Sequence, residues 1–208
     1  MKPMFYFLLA LTAVLAATTN AGEPVLDVEG RPIFDGSYFV LPAIFGPAGG
    51  GLTLAPHGDK PCSFDIVQES SEIKMAIPVR FSNWMSGVGF VPESVPLNIE
   101  MDIKATICVQ STYWWVDESY RESETRFVGA GLKPEGYSSK SFFLIKKSGD
   151  FRNGYKFVFC PRYSDCIDVG IFVDENGARR LAISSTPFSV VFVKATETET
   201  SSKTMSII

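Results

Sequence analysis

Short runs in which apolar and polar positions alternate with period two recur along this chain. Asn98-Ile-Glu-Met-Asp-Ile-Lys104 places Ile99, Met101 and Ile103 on one face and charged or polar groups on the other. That is the pattern of a half-buried strand. Tyr155-Lys-Phe-Val-Phe159 does the same with Tyr155, Phe157 and Phe159. Gly170-Ile-Phe-Val173, Arg180-Leu-Ala-Ile183 and Ser189-Val-Val-Phe-Val193 are β-branched and aromatic, as strands prefer. Turn chemistry separates these runs. Asn176-Gly177 between two of them is the strongest hairpin signal, and Ser148-Gly149-Asp150 and Asn153-Gly154 are further turns. No segment sustains a 3.6-residue apolar period. The class is therefore all-β, with many short strands forming a sandwich or a barrel.

The ends of the chain break this pattern. After Lys2, Phe5 to Ala17 form a nearly unbroken apolar run, and Thr19-Asn20-Ala21 offers small residues at cleavage spacing. This reads as a secretory signal peptide over residues 1–21, too short for a membrane span. The mature chain is then about 187 residues with a formal charge of −5, since only Lys2 leaves with the leader. Residues 22–195 read as one domain, and the Thr/Ser-rich residues 196–208 as a polar tail. A net acidic chain without a basic run gives no reason to expect nucleic acid, and no later stretch would cross a membrane. There is no Asn-x-Ser/Thr sequon.

Four cysteines remain, Cys62, Cys108, Cys160 and Cys166, and an even count in a secreted chain reads as two disulfides with three allowed pairings. No C-x-x-C occurs and His57 is the sole histidine, so neither a metal nor another cofactor is expected. His57 lies in the turn-rich Ala55-Pro-His-Gly-Asp59 and reads as a surface-loop residue rather than half of a catalytic pair.

Several segments together resemble the Kunitz-type soybean trypsin inhibitor family. They are Val25-Leu-Asp-Val-Glu-Gly-Arg-Pro-Ile33 with Gly36-Ser-Tyr-Phe-Val40, Pro61-Cys-Ser-Phe-Asp-Ile-Val-Gln68 and Ile77-Pro-Val-Arg-Phe81. Ser111-Thr-Tyr-Trp-Trp-Val-Asp117, Tyr155-Lys-Phe-Val-Phe-Cys-Pro161, Asp168-Val-Gly-Ile and Gly177-Ala-Arg-Arg-Leu181 continue the same order. The resemblance implies a β-trefoil of twelve short strands with pseudo-threefold symmetry. It also implies the pairs Cys62–Cys108 and Cys160–Cys166, with a core role for a tryptophan in the Trp114-Trp115 segment. It implies a plant-type secreted defence protein, extracellular (apoplastic) or vacuolar, not an enzyme, and monomeric. Its partner would be a trypsin-, chymotrypsin-, subtilisin- or carboxypeptidase-type serine protease, blocked by substrate-like insertion of one exposed loop.

A trypsin-like S1 pocket carries a buried carboxylate, so a strong trypsin inhibitor presents Arg or Lys at the P1 position. By the resemblance, the loop falls within residues 82–93, Ser-Asn-Trp-Met-Ser-Gly-Val-Gly-Phe-Val-Pro-Glu, which contain neither base. Counting places P1 near Gly87, while gapped alignment admits Trp84, Met85 or Ser86, with Val88 beside them. Gly87 and Gly89 would loosen a loop whose affinity depends on rigidity. Trp84 or Met85 would suit a chymotrypsin- or subtilisin-like pocket, or Trp84 and Phe90 would pack against the barrel rim. Arg80, the nearest base, belongs to the strand before the loop. Many family members carry an Asn that braces the loop from beneath; the matching residue is Asp35, which cannot donate when ionised, or which serves its own turn before Gly36. Weak action on trypsin is the expectation. The alternative is a non-inhibitory storage, defence or ligand-binding trefoil.

Overall fold

A computed structural model describes residues 22–44, 49–58, 60–84, 87–103, 108, 111–116, 125–136, 138–149, 151, 154–161 and 165–196. The segments read from sequence as a leader, residues 1–21, and as a tail, from residue 197 on, lie outside these residues, as do Met85, Ser86 and Asn153.

Twelve strands follow one another: β1 (Ser37–Pro42), β2 (Leu52–His57), β3 (Lys60–Gln68), β4 (Val79–Ser82), β5 (Asn98–Met101), β6 (Tyr113–Val116), β7 (Val128–Gly131), β8 (Phe143–Lys147), β9 (Tyr155–Phe159), β10 (Ile167–Val173), β11 (Arg179–Ile183) and β12 (Val190–Lys194). Six of them close a barrel by antiparallel pairing. β1 pairs with β4 and β12, β4 with β5, β8 with β9 and β9 with β12. The Leu97–Phe143 bridge joins the β5 and β8 arms. The other six form three hairpins, β2–β3, β6–β7 and β10–β11. These hairpins pair with each other through β11–β3, β3–β7 and the Phe127–Ala182 bridge. Barrel strand, hairpin, barrel strand occurs three times, so the architecture is a β-trefoil. Full closure leaves the barrel no free edge.

The core follows from the alternation. Ile99, Met101, Tyr155, Phe157 and Phe159 are buried. Phe81, Phe192, Phe157, Trp114, Phe143 and Phe159 form a chain of ring contacts with centroids 5.0–6.0 Å apart. Large rings with tilted or edge-on contacts fill the barrel axis. Trp114 is core, whereas Trp115 faces the other way and is half-buried. β5 ends at Met101, before the full alternating run is spent, because Asp102 turns to Ser37 and Arg80.

The Asn176-Gly177 turn joins β10 to β11 with Gly177 at φ +79°. Asp174 caps it by accepting from the N–H groups of Asn176 and Ala178, both at 2.9 Å. The disulfides join Cys62 to Cys108 and Cys160 to Cys166.

Candidate functional site

β4 and β5 run in register from Val79–Met101 to Ser82–Asn98, and the chain leaves the barrel between those ends. The descending arm of this excursion is held by the chain's N-terminal segment. Val91 is fully buried; its carbonyl accepts from Val25 N–H at 2.9 Å and its N–H donates to the Ile33 carbonyl at 2.7 Å. Glu93 N–H donates to the Glu23 carbonyl at 2.7 Å, and Ser94 N–H to the Ile145 carbonyl at 2.9 Å. The ascending arm bends at Asn83, whose φ of 61° lies in the left-handed region that Asn tolerates best after Gly.

Trp84 then turns inward. Its half-buried ring packs against the barrel core, and its indole N–H donates to the Val88 carbonyl at 3.0 Å. That bond spans the tip of the loop and ties its two arms together. Gly87 is exposed at φ +65°, and neither Gly87 nor Gly89 has an atom within 4 Å of where a Cβ would sit. Of the residues singled out from sequence, Trp84 and Val88 are brought together, with Gly87 between them at the surface. Met85 and Ser86 lie outside the described residues.

Asp35 does not reach a described loop residue; its carboxylate accepts from the N–H of Gly36 at 2.9 Å, within its own turn. Arg80 stays in β4, and its guanidinium meets Asp102 at 3.0 Å. Asp102 also accepts from the Ser37 hydroxyl, so the arginine is engaged at the foot of the loop.

His57 departs from the sequence reading. It is the last residue of β2 rather than part of a surface loop, and its Nδ1 lies 2.9 Å from the carboxylate of the buried Asp65. Asp65 also pairs with Arg180, which donates through Nε to Asp174 at 2.9 Å. Arg180 holds the Asp174 carboxyl below its ordinary value, chiefly by that hydrogen bond. These four groups form a hydrogen-bonded and ion-paired cluster against β11, with no hydroxyl or thiol nucleophile among the partners named. Among the described residues, no group of three His, Cys, Asp or Glu could hold a metal ion.

Sequence reasoning missed Glu93. It is half-buried beside Lys147, 3.4 Å away, and burial pushes its carboxyl above the ordinary value despite the opposing pull of that lysine.

The site is thus a trefoil loop whose two arms are tied together by the Trp84–Val88 bond, stitched to the N-terminal segment and exposed at Gly87. Comparison with known proteins gives it a lineage. Residues 25–194 match the family described as "Trypsin and protease inhibitor", the Kunitz legume family. The chain is 59% identical to Kunitz trypsin inhibitor 4 of Arabidopsis thaliana, over 99% of this chain and 97% of that one. It is 39% identical to a rice (Oryza sativa) alpha-amylase/subtilisin inhibitor, over 90% and 92%. Among solved structures it resembles soybean trypsin inhibitor in complex with porcine pancreatic trypsin, with a TM-score of 0.70 and 33% identity, covering 84% of this chain and all of that one. The chain belongs to the Kunitz-type trypsin inhibitor family, a family of protease inhibitors rather than enzymes.

Proposed function

We propose that this protein is a secreted inhibitor that blocks a serine protease by offering the tip of the β4–β5 loop to the active-site cleft as a substrate would. Its action on trypsin is weak. The observation that carries the reading is the tip between Trp84 and Val91: fixed at both ends, exposed at Gly87, and without Lys or Arg. A loop held in place beforehand loses little entropy on docking, which is where the affinity of such an inhibitor resides. A trypsin-like S1 carboxylate finds no cation here to pair with. The inward packing of the Trp84 ring supports a P1 position among the remaining candidates, Met85, Ser86, Gly87 and Val88. The named targets of relatives, trypsin and subtilisin, are both serine proteases and support that partner class. Secretion rests on the apolar run of residues 5–17 and on the two disulfides, which persist in oxidising compartments.

The test is a panel of trypsin, chymotrypsin, subtilisin and serine carboxypeptidase, run with the wild type and with Met85→Arg, Ser86→Arg and Gly87→Arg. Inhibition of a non-trypsin member by the wild type is expected, with a gain of at least about a hundredfold against trypsin in one arginine variant, since a buried charge pair in S1 dominates P1 selection. Gly87→Arg should gain least, because φ +65° strains any side chain there. Absence of inhibition across the panel, with no gain from any arginine, would discard this reading and leave a storage or ligand-binding trefoil.

A further inference from the structure

A cavity of about 390 Å³ opens on the flank of the β6–β7 hairpin, on different strands from the inhibitory loop. Trp115, Leu132, Pro134, Ser63, Ser138 and Lys140 line it. That volume is in the range of small-molecule sites and admits a molecule of one or two rings.

The way Trp115 is seated indicates what the cavity could hold. Its ring lies on the backbone of β7 at Gly129 and Gly131; a Cβ at either would come within 3.1 and 2.9 Å of the ring. The indole N–H is buried without a hydrogen-bond partner, so packing alone holds the ring. Glycine at both positions gives the indole a flat bed and leaves it as an aromatic wall of the cavity. Leu132, 80% exposed, and Pro134 supply further apolar surface at the mouth. A large side chain left this exposed beside an aromatic wall is surface that a ligand would remove from water.

The charge in the wall is of one sign. The Lys140 ammonium sits 5.8 Å from the Trp115 ring centroid. It is exposed, no carboxylate among the described residues pairs with it, and none of the lining residues is acidic. It projects from a single 3-10 turn, Ser139–Ser141, which Ser138 caps by accepting from the Lys140 N–H. The turn fixes where the lysine leaves the backbone, and its flexible stem carries the ammonium to the ring.

We propose that this cavity is a binding site for a small aromatic carboxylate, its ring laid against Trp115 and Leu132 and its carboxylate beside Lys140. The apolar walls recognise the ring, and the exposed ammonium selects an anion over a neutral analogue. The site is independent of protease inhibition.

Titration of the full mature protein with naphthoate and with the neutral naphthamide tests this, followed through the tryptophan indole N–H signals in NMR. The chain has three tryptophans, and the signal lost in Trp84→Phe and the one lost in Trp115→Phe assign all three. Saturable movement of the Trp115 signal is expected, with naphthoate binding at least about threefold more tightly than naphthamide at low salt, the size of an exposed ion pair. Lys140→Gln should abolish that preference and leave naphthamide binding unchanged. Leu132→Glu should weaken naphthoate more than naphthamide. Both residues are exposed, so either variant decides the matter if the other folds poorly. An unmoved Trp115 signal, equal affinity for the two probes, or a preference that survives Lys140→Gln would overturn the proposal.

Discussion

Replacing Trp84 with phenylalanine keeps an aromatic ring against the core and removes only the indole N–H that reaches Val88. A net hydrogen bond of this kind contributes about 1 kcal/mol, so the population of opened loop should rise about fivefold. Trp84→Ala also removes the half-buried ring, adding about 2 kcal/mol from lost apolar burial, so its opening should rise by a further factor of about thirty. The assay is nicking within residues 84–91 by thermolysin, a metalloprotease outside the proposed target class. When opening and closing are fast relative to cleavage, the nicking rate follows the opened fraction. Urea midpoints measured alongside should change little for Trp84→Phe, which separates local opening from global unfolding. Inhibition constants against whichever protease the panel identifies should weaken in the same order. Equal nicking of wild type and Trp84→Phe would refute the role of the hydrogen bond; equal nicking of all three would refute the brace altogether.

Two further perturbations test the frame around the loop. Burial raises the Glu93 carboxyl above its ordinary value of 4.5, so between those two values the folded chain binds more protons than the unfolded one. Stability then falls as pH rises through that window, and Glu93→Gln should be more stable than wild type at pH 7, with the gap closing as pH drops below 4.5; urea denaturation at both extremes checks it. A wild-type advantage at pH 7 would mean that the Lys147 pairing outweighs burial. The disulfides should contribute unequally, because they close loops of 46 and 6 residues of separation. Chain entropy gives about 4 kcal/mol for the first and about 2 kcal/mol for the second, so replacing Cys62 and Cys108 by alanine should destabilise more than replacing Cys160 and Cys166, as judged by urea unfolding. Equal or inverted losses would count against a chain-entropy origin.

Strand positions were legible in the sequence because burial on one face imposes alternation, and the residues at 99, 101, 155, 157 and 159 obey it. The Asn176-Gly177 turn was legible because few residue pairs accept its backbone. Barrel closure was not, since Leu97 meets Phe143 and Phe39 meets Val193 through pairings that no local pattern encodes. Cys62–Cys108 and Cys160–Cys166 came only with the family resemblance, for three pairings fit the spacing equally. Within the site, the absence of Lys and Arg from residues 82–93 is plain in the sequence. The inward turn of Trp84 is not, because an aromatic residue in a Gly-rich loop reads equally as bait or as anchor, and only the carbonyl of Val88 decides. His57 was misplaced for a similar reason: Pro56 and Gly58 signal a turn, yet β2 continues to His57 across a bulge at Pro56, and a buried Asp65 holds the imidazole.

The hydrogen bonds from residues 23–33 to Val91 and Glu93 mean that the loop has a partner strap far from it in sequence. The outermost stitch, Glu23 carbonyl to Glu93 N–H, sits at the very start of the described chain, with Gly22 so close that a Cβ there would stand 2.8 Å from the Glu93 carbonyl oxygen. Val25 is fully buried, so this strap is seated in the core, and the descending arm of the loop is stitched to it. Hydrogen exchange at the Val91 and Glu93 amides would therefore report on the seating of that strap as much as on the loop.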